Sequence, residues 1–236
     1  MVNFTVDPNW KRIGISLSGG ADSALLAFLI CSASNAEIHI TTQIRNWKTR
    51  PWQQQNSLDV YNWLVARFPK NRFYRYENFI PPELEWADKG PTIVDEYGKL
   101  KSGNQIILRA FNEYIIHHKK LDAWFAAVNK NPDIPIEGAL KDRDQGHIPP
   151  VLEHMGIAIC HPFVYTMKDW IIKQYYDHNI LDLLALTRSC EGDRNLYPEV
   201  FGDLDYRTYT PGRPVPECKQ CFWCKERQWA LEKCQG

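Results

Sequence analysis

The chain has no excess of charge of either sign, because 28 Lys and Arg residues balance 28 Asp and Glu residues over 236 positions. A balanced composition exerts no overall attraction on DNA or acidic membranes, so any nucleic-acid contact would depend on a local patch. No apolar run approaches the roughly 18 residues that a membrane-spanning helix requires. The length suits one α/β domain with a small appended element and allows a sizeable core.

The first residues of the chain lack both the basic and the apolar region of a secretion signal. We therefore expect a cytoplasmic protein, in a compartment where thiols stay reduced. The seven cysteines are then expected to be metal ligands or buried thiols and not disulfides. No internal repeat and no low-complexity tract is visible.

Strand-like and helix-like segments alternate along the chain, which is typical of a parallel sheet. Buried strands are predicted over residues 12–17, 37–44, 71–76, 123–128 and 158–163. Helices are predicted between them, and loops rich in proline, glycine and charge over residues 80–103 and 129–150. We predict a doubly wound, five-stranded parallel sheet in a nucleotide-binding domain over residues 1–185. A small helical zinc-binding element follows over residues 186–236.

A turn rich in serine and glycine, residues 18–23, separates the first strand from the first helix. Such a turn presents unpaired backbone N–H groups, and the helix dipole adds partial positive charge, so it favours a bound phosphate. Gly19 and Gly20 let the backbone approach the anion closely, and the hydroxyls of Ser18 and Ser23 add donors. No Gly-Lys-Ser/Thr follows, so the turn is not a Walker A loop.

Asp22 is the unusual member of this turn, because a carboxylate repels a bare phosphate. It fits if a divalent cation bridges it to phosphate oxygens, or if it caps the helix. We predict that the nucleotide is bound by the run Ser16, Leu17, Ser18, Gly19, Gly20, Ala21, Asp22 and Ser23.

Further nucleotide contacts are predicted where a doubly wound sheet binds its ligand, at the carboxyl ends of its strands. Thr41, Thr42 and Gln43 end the second strand and are candidate adenine contacts, with a solvent-facing strand end as the alternative. Asn104 and Arg109 are candidate phosphate or substrate contacts, with a surface salt bridge as the alternative.

Three cysteines near the C-terminus have the spacing C-x2-C-x2-C: Cys218, Cys221 and Cys224. This spacing lets thiolates converge on one ion, and a closed structural zinc site requires four ligands. Cys190, at the end of an apolar run, is the best fourth ligand, while Cys234 and the histidines are weaker candidates. We predict a structural zinc ion. An iron–sulfur cluster, also held by four thiolates, is the alternative.

The string Ser-Gly-Gly-x-Asp-Ser resembles the signature of the PP-loop ATP pyrophosphatases. Members of that superfamily split ATP between its α- and β-phosphates and activate a carboxylate, carbonyl or amide oxygen as an adenylate. The loop followed by the cysteines resembles 7-cyano-7-deazaguanine synthase, the PP-loop family of queuosine biosynthesis. Residues 103–108 and 161–169 are similar to two further segments of that family.

This resemblance implies an adenine nucleotide α-hydrolase-like fold with ATP, Mg2+ and Zn2+ as cofactors. It implies adenylation of 7-carboxy-7-deazaguanine, displacement of AMP by ammonia, and dehydration of the amide to a nitrile. Asp22, Ser23 and Lys168 are the implied catalytic residues, Asp22 orienting Mg2+ and Lys168 contacting phosphate. Family members are often dimers, which leaves a homodimer open.

Two departures from the family concern the acceptor and not ATP. Residues 191–217 separate Cys190 from the cysteine triple, where the family has a short gap. Residues 128–133 preserve only fragments of the family's substrate segment. Asp133, Arg143 and Arg207 are pocket candidates, and His161 is expected to be structural and not a general base.

Three alternative functions therefore stand beside the deazaguanine synthase. The first is a PP-loop enzyme with a different acceptor, such as a sulfurtransferase acting on a tRNA base or another amidating or ligating enzyme. The second is a sulfonucleotide reductase, which is less favoured because its cysteine motif differs. The third is a non-catalytic zinc-ribbon protein that binds nucleic acid or a partner, against which the intact loop argues. Nucleic acid is not the favoured partner.

Overall fold

The computed structural model describes residues 5–45, 49–81, 93–94, 100–101, 103–137, 148–202 and 216–235. For residues 93–94, 100–101 and 103–106 only the backbone is described. Two of the predicted pocket residues, Arg143 and Arg207, lie outside the described residues. So does the side chain of Asn104.

Six strands form one sheet with the order β3-β2-β1-β6-β8-β7. They are β1 Arg12–Ser16, β2 Glu37–Ile44, β3 Arg72–Phe79, β6 Ala123–Phe125, β7 Val151–His154 and β8 Ile157–Cys160. Two further strands, β4 Ile93–Val94 and β5 Leu100–Lys101, pair separately and antiparallel. The order runs outward from β1 in both directions, which is the doubly wound arrangement. The predicted α/β fold is confirmed.

The sheet differs from the prediction at one edge. The five predicted strands are parallel to one another, whereas β7 is antiparallel to β8 and was not predicted. Met155 and Gly156 join these two strands with φ values of 55° and 76°. A two-residue hairpin needs such left-handed residues. Methionine is an unusual choice at the first of them, so the turn gave little signal.

Seven helices lie between and after the strands within the described part of the chain. They are α1 Ala21–Ala33, α2 Gln53–Arg67, α3 Gly103–Lys119, α4 Lys168–Asp177, α5 Leu181–Ala185, α6 Pro198–Phe201 and α7 Phe222–Gln235. None of the described helices is long and apolar enough to cross a membrane.

The main core lies between the central strands and the helices that cover them. Ile13 and Ile15 of β1, Ile38 of β2 and Leu25 of α1 are completely buried. Burial of each such side chain stabilises the fold by roughly 1.5–3 kcal/mol. Ala230 of α7 belongs to the same core, so the C-terminal helix is anchored on the sheet domain.

Helices α1 and α4 are fixed to each other at the end that carries the serine-glycine loop. The buried hydroxyl of Tyr175 in α4 donates a hydrogen bond of 2.6 Å to the carbonyl of Ala21, the first residue of α1. Burial raises the pKa of Tyr175 well above its usual value, so this hydroxyl keeps its proton. The first turn of α1 is therefore joined to the last turn of α4.

Candidate functional site

The loop of residues 18–23 lies at the carboxyl edge of the sheet, between β1 and α1. The Ser18 N–H donates to the Ser23 hydroxyl at 3.1 Å, and the Gly20 N–H donates to the Ser18 hydroxyl at 3.3 Å. The Ser23 hydroxyl donates in turn to the Gly20 carbonyl at 3.2 Å. Hydrogen bonds between residues close in sequence thus stabilise the loop at the N-terminus of a buried helix, which is a favourable place for phosphate.

Gly19 has a φ of 75°, in the left-handed region that disfavours other residues. A Cβ at this position would lie 2.9 Å from the backbone nitrogen of Ser57. Both the backbone conformation and the close approach of α2 therefore require glycine here.

Lys168, the first residue of α4, lies against this loop with its side chain only 2% exposed. Its ammonium forms an ion pair with the Asp22 carboxylate and lies 3.7 Å from Oε2 of Glu226, which is completely buried on α7. One cation is thus shared by two carboxylates. The Oδ1 atom of Asp22 is buried without a hydrogen-bond partner among the described residues. A carboxylate oxygen in this state suits a divalent cation.

A cavity of about 300 Å³ opens beside the loop. Ser18, Gly20, Asp22 and Lys168 line one side of it. Its lining also includes two arginines, two tryptophans and one of the cysteines: Arg50, Arg188, Trp52, Trp223 and Cys190. The volume is at the lower end of the range for small-molecule sites.

A cavity of about 690 Å³ is larger, but it lies near Trp10, Lys11 and Glu37. These residues are at the amino ends of β1 and β2, opposite the edge where parallel sheets of this kind bind ligands. The smaller cavity is therefore the candidate site.

Arg188 is a site residue that the sequence prediction missed. Its guanidinium carbon lies 3.6 Å from the ring centroid of Trp52, and its Nη2 donates to the Pro216 carbonyl at 2.6 Å. Its backbone N–H donates to the carbonyl of Gly19 at 3.0 Å. The position two residues before a predicted metal ligand was the one available signal.

Arg50, the other arginine that lines the cavity, was also missed by the sequence prediction, and its partners differ from those of Arg188. It forms an ion pair of 3.4 Å with Glu191, and its guanidinium carbon lies 6.0 Å from the ring centroid of Trp223. The second carboxylate oxygen of Glu191 accepts a hydrogen bond of 3.3 Å from the Trp223 indole.

The four predicted metal ligands are brought together. The sulfur atoms of Cys190, Cys218, Cys221 and Cys224 all lie within 4.8 Å of one another, and all four residues are buried. The Cys190 and Cys218 sulfurs are 3.6 Å apart, and those of Cys218 and Cys224 are 3.9 Å apart. Tetrahedral zinc with Zn–S bonds of about 2.3 Å places its sulfurs about 3.8 Å apart. A cubane, with one iron behind each thiolate, holds them farther apart.

The thiols influence one another strongly. Hydrogen bonds from Cys190 and Cys224 lower the pKa of Cys221 far below that of an ordinary thiol. The hydrogen bond to Cys221 raises the pKa of Cys190 to about 12. The pKa of Cys224 is raised further still, by its hydrogen bonds with Cys190 and Cys221. One thiolate is thus stabilised by neighbouring S–H groups, and four thiolates together require a cation.

The cysteine cluster adjoins the cavity. Cys190 lines the cavity and also belongs to the cluster, and Trp52 packs against the four cysteines. Gly192 leaves room for this indole, because a Cβ there would lie 2.0 Å from the Trp52 ring. The candidate nucleotide and metal sites are therefore neighbours.

The remaining predicted nucleotide contacts do not line this cavity in the described structure. The Thr41 hydroxyl donates to Oδ1 of Asn112 at 3.2 Å, and Oε1 of Gln43 accepts from Arg45 at 3.4 Å. Thr42 is buried next to them. Their assignment to adenine stays a prediction.

Arg109 forms an ion pair with Glu113 at 2.7 Å, the salt bridge that the sequence left open. The same carboxylate oxygen lies 2.9 Å from Nε2 of His154. Asp133 pairs with Lys130 at 3.6 Å. His161 has its pKa lowered by burial, and its Nδ1 lies 3.3 Å from the Pro149 carbonyl, which accords with a structural role.

No family model matches this chain, and no curated protein matches its sequence. Among solved structures it is similar to the U34-tRNA thiolase NcsA from Methanococcus maripaludis with its four-iron, four-sulfur cluster. That similarity has 12% identity and a TM-score of 0.49, and covers 97% of this chain and 74% of the other. The chain is also similar to phosphoadenylyl-sulfate reductase from Candida auris in a phosphate complex, with 9% identity and a TM-score of 0.39. That similarity covers 84% of this chain and 83% of the reductase.

At these values neither similarity carries an argument about the nucleotide, the acceptor or the metal. The resemblance to 7-cyano-7-deazaguanine synthase stays a prediction. The structure has a mostly parallel α/β sheet, and one cavity is lined by the serine-glycine loop and by Cys190 of the four-cysteine cluster.

Proposed function

We propose that this chain is an ATP-dependent adenylating enzyme of the PP-loop type. It would bind ATP at the loop of residues 18–23 and transfer AMP to an acceptor in the adjoining cavity. The observation that carries the proposal is the arrangement of the loop, Lys168 and Arg188 around one cavity at the carboxyl edge of the sheet.

The reaction is a displacement at the α-phosphorus of ATP. An oxygen of the acceptor attacks that phosphorus, the bond to the bridging oxygen of the β-phosphate breaks, and the electron pair leaves with pyrophosphate. The backbone N–H groups of the loop and the dipole of α1 hold the departing phosphates. Lys168 adds positive charge at the same place, in a preorganised site where such charge stabilises a transition state.

Two metals fit the residues present. Asp22, with a buried and unpartnered oxygen, would hold Mg2+, which supplies charge stabilisation for the leaving group when bound. The four cysteines would hold Zn2+, which in a closed four-thiolate site supplies structural stability.

The acceptor is proposed less narrowly than the ATP reaction. The resemblance implies 7-carboxy-7-deazaguanine with ammonia as the nucleophile. The alternative is a different acceptor, such as a tRNA base that receives sulfur. The family's substrate segment is replaced here by residues 128–133, in which Asn129 and Asn131 are buried amides. This difference favours the alternative.

AMP and pyrophosphate release tests the proposal directly. The protein is incubated with ATP and Mg2+ and either the deazaguanine acid with ammonia or tRNA with a sulfur donor. We expect acceptor-dependent AMP from wild type and from the control Arg72→Ala, whose side chain is 72% exposed, and none from Asp22→Asn. Turnover with tRNA alone would exclude the deazaguanine acceptor. The absence of both AMP formation and ATP–pyrophosphate exchange would refute the adenylating function.

A further inference from the structure

We propose that Arg188 is the cation that binds the leaving pyrophosphate, and that the cysteine centre holds Arg188 in position for it. The inference rests on the proposed function, because it assigns a residue to one product of the same reaction. It gives the metal centre a part in nucleotide chemistry as well as in stability.

The first argument is the charge around the loop. Pyrophosphate gains negative charge as the bond to the α-phosphorus breaks, yet the ammonium of Lys168 already interacts with Asp22 and Glu226. The two negative charges of those carboxylates exceed the single positive charge of Lys168. These three side chains together are therefore negative, and a further cationic side chain at the cavity would add to the positive charge that Mg2+ supplies when bound.

Arg188 is the lining cation that can supply this charge. Arg50 also lines the cavity, but it is paired with Glu191 at 3.4 Å. Among the described residues Arg188 has no carboxylate partner, and its Nε is buried without a hydrogen-bond partner. A planar guanidinium with several N–H donors matches phosphate oxygens in geometry as well as in charge.

The second argument is position. The Arg188 N–H donates to the Gly19 carbonyl at 3.0 Å, so its backbone is fixed to the loop. Its carbonyl oxygen lies 3.6 Å from where a Cβ of Gly20 would be. The guanidinium stacks on Trp52, which limits its side-chain motion before any ligand arrives. A preorganised donor of this kind loses little conformational entropy on binding.

The third argument links Arg188 to the cysteines. Cys190 follows it two residues later, and Trp52, on which it stacks, packs in the cysteine cluster. Trp52 and the chain segment that carries Arg188 therefore adjoin the four sulfurs. Loss of the metal should release them and weaken pyrophosphate binding.

The test is a calorimetric titration with pyrophosphate in the presence of Mg2+. We expect Arg188→Ala to weaken binding about 10- to 100-fold, as for loss of a charge-assisted hydrogen bond. Arg188→Lys should recover part of the affinity. The control Arg72→Ala should bind like wild type. AMP, which lacks the leaving phosphates, should bind wild type and Arg188→Ala equally.

The metal arm uses Cys221→Ser, with zinc content measured on the same sample. We expect zinc loss together with a fall in pyrophosphate affinity similar to that of Arg188→Ala. If Cys221→Ser does not fold, Trp52→Leu and Trp52→Phe replace it. The leucine variant should lose pyrophosphate affinity while retaining zinc, and the phenylalanine variant should keep most of both.

The outcomes separate the two proposals. Unchanged pyrophosphate affinity in Arg188→Ala, with AMP formation intact in wild type, would overturn this inference alone. If Arg188→Ala keeps its pyrophosphate affinity but loses acceptor-dependent AMP formation, Arg188 acts at the acceptor. That result would also overturn this inference. A wild-type protein that binds no pyrophosphate would overturn the inference and the proposed function together.

Discussion

The serine-glycine loop and the cysteine cluster both contribute to the lining of one cavity, but they are built differently. The loop comes from consecutive residues, and its hydroxyls and amides are hydrogen-bonded to one another. The cluster joins Cys190 to a cysteine 28 residues later and brings four thiols into a buried space.

The difference concerns what each region needs to keep its shape. Local hydrogen bonds and buried helix α1 maintain the loop, so it should be formed before ATP binds. The cluster has hydrogen bonds of its own, since the Cys218 and Cys221 N–H groups donate to the sulfurs of Cys190 and Cys218. These bonds do not remove its need for a cation, because closely packed thiolates repel one another without one. One side of the site is therefore preformed, and the other should depend on metal.

The largest effect is expected where the two regions meet, at Lys168. Lys168→Met leaves the carboxylates of Asp22 and Glu226 without their shared cation. Loss of one partner from a buried ion pair costs about 3–5 kcal/mol. Loss of a charge that stabilises the transition state lowers the rate about 10²- to 10³-fold. Denaturant unfolding and AMP formation measure the two effects.

Lys173→Met on the same helix is the matched control, because Lys173 is 61% exposed and pairs with Asp177 four residues later. Such an exposed pair contributes about 0.5 kcal/mol or less. An equal loss of unfolding free energy in both variants would show that burial does not increase the contribution of Lys168 to stability.

The second prediction is removal of the metal. Cys221→Ala should abolish zinc binding, where one zinc per chain is expected in wild type, and should destabilise the C-terminal helix α7. Elemental analysis gives the metal content, and hydrogen exchange locates the destabilised segment. Protection should fall in α7 and persist in β1 and α1. A uniform loss of protection would contradict the asymmetry between the two sides.

The third prediction compares two glycines with nearly equal backbone conformations. Gly19 and Gly156 have φ values of 75° and 76°, but a Cβ meets Ser57 only at Gly19 and meets nothing within 4 Å at Gly156. Gly156→Ala should cost about 1 kcal/mol from the backbone alone. Gly19→Ala should cost more and should also weaken pyrophosphate binding. If Gly19→Ala and Gly156→Ala lowered the free energy of unfolding equally, the loop would tolerate the shift that a Cβ at residue 19 requires.

The two regions also differed in how well the sequence predicted them. Six contiguous residues between a strand and a helix, and three evenly spaced cysteines, are local patterns. The structure places the loop between β1 and α1 and brings the cysteine sulfurs together. Cys190 was found because zinc requires a fourth ligand. Local patterns thus predicted the loop and the candidate metal ligands, whereas Lys168 was proposed from the resemblance to a known family.

Residues placed by tertiary packing escaped the prediction. The role of Arg188 depends on Trp52, which comes from the start of α2 and stacks beneath it. Glu226 lies on the buried face of α7, four residues from both Phe222 and Ala230, but a glutamate is rarely expected in a core. Strand β7 depends on pairing with β8 and a turn without the usual residues. None of these contacts is encoded by a short motif.

The smallest expected effect concerns the predicted adenine contacts. Thr41→Val removes the hydroxyl that donates to Asn112, a bond of 3.2 Å, and should cost about 1 kcal/mol of stability. If Thr41 holds only α3 against the sheet, the KM for ATP in AMP formation should stay at the wild-type value. A rise in KM without a change in kcat would instead place adenine beside β2. That result would extend the preformed side of the site from the loop along the carboxyl edge of the sheet.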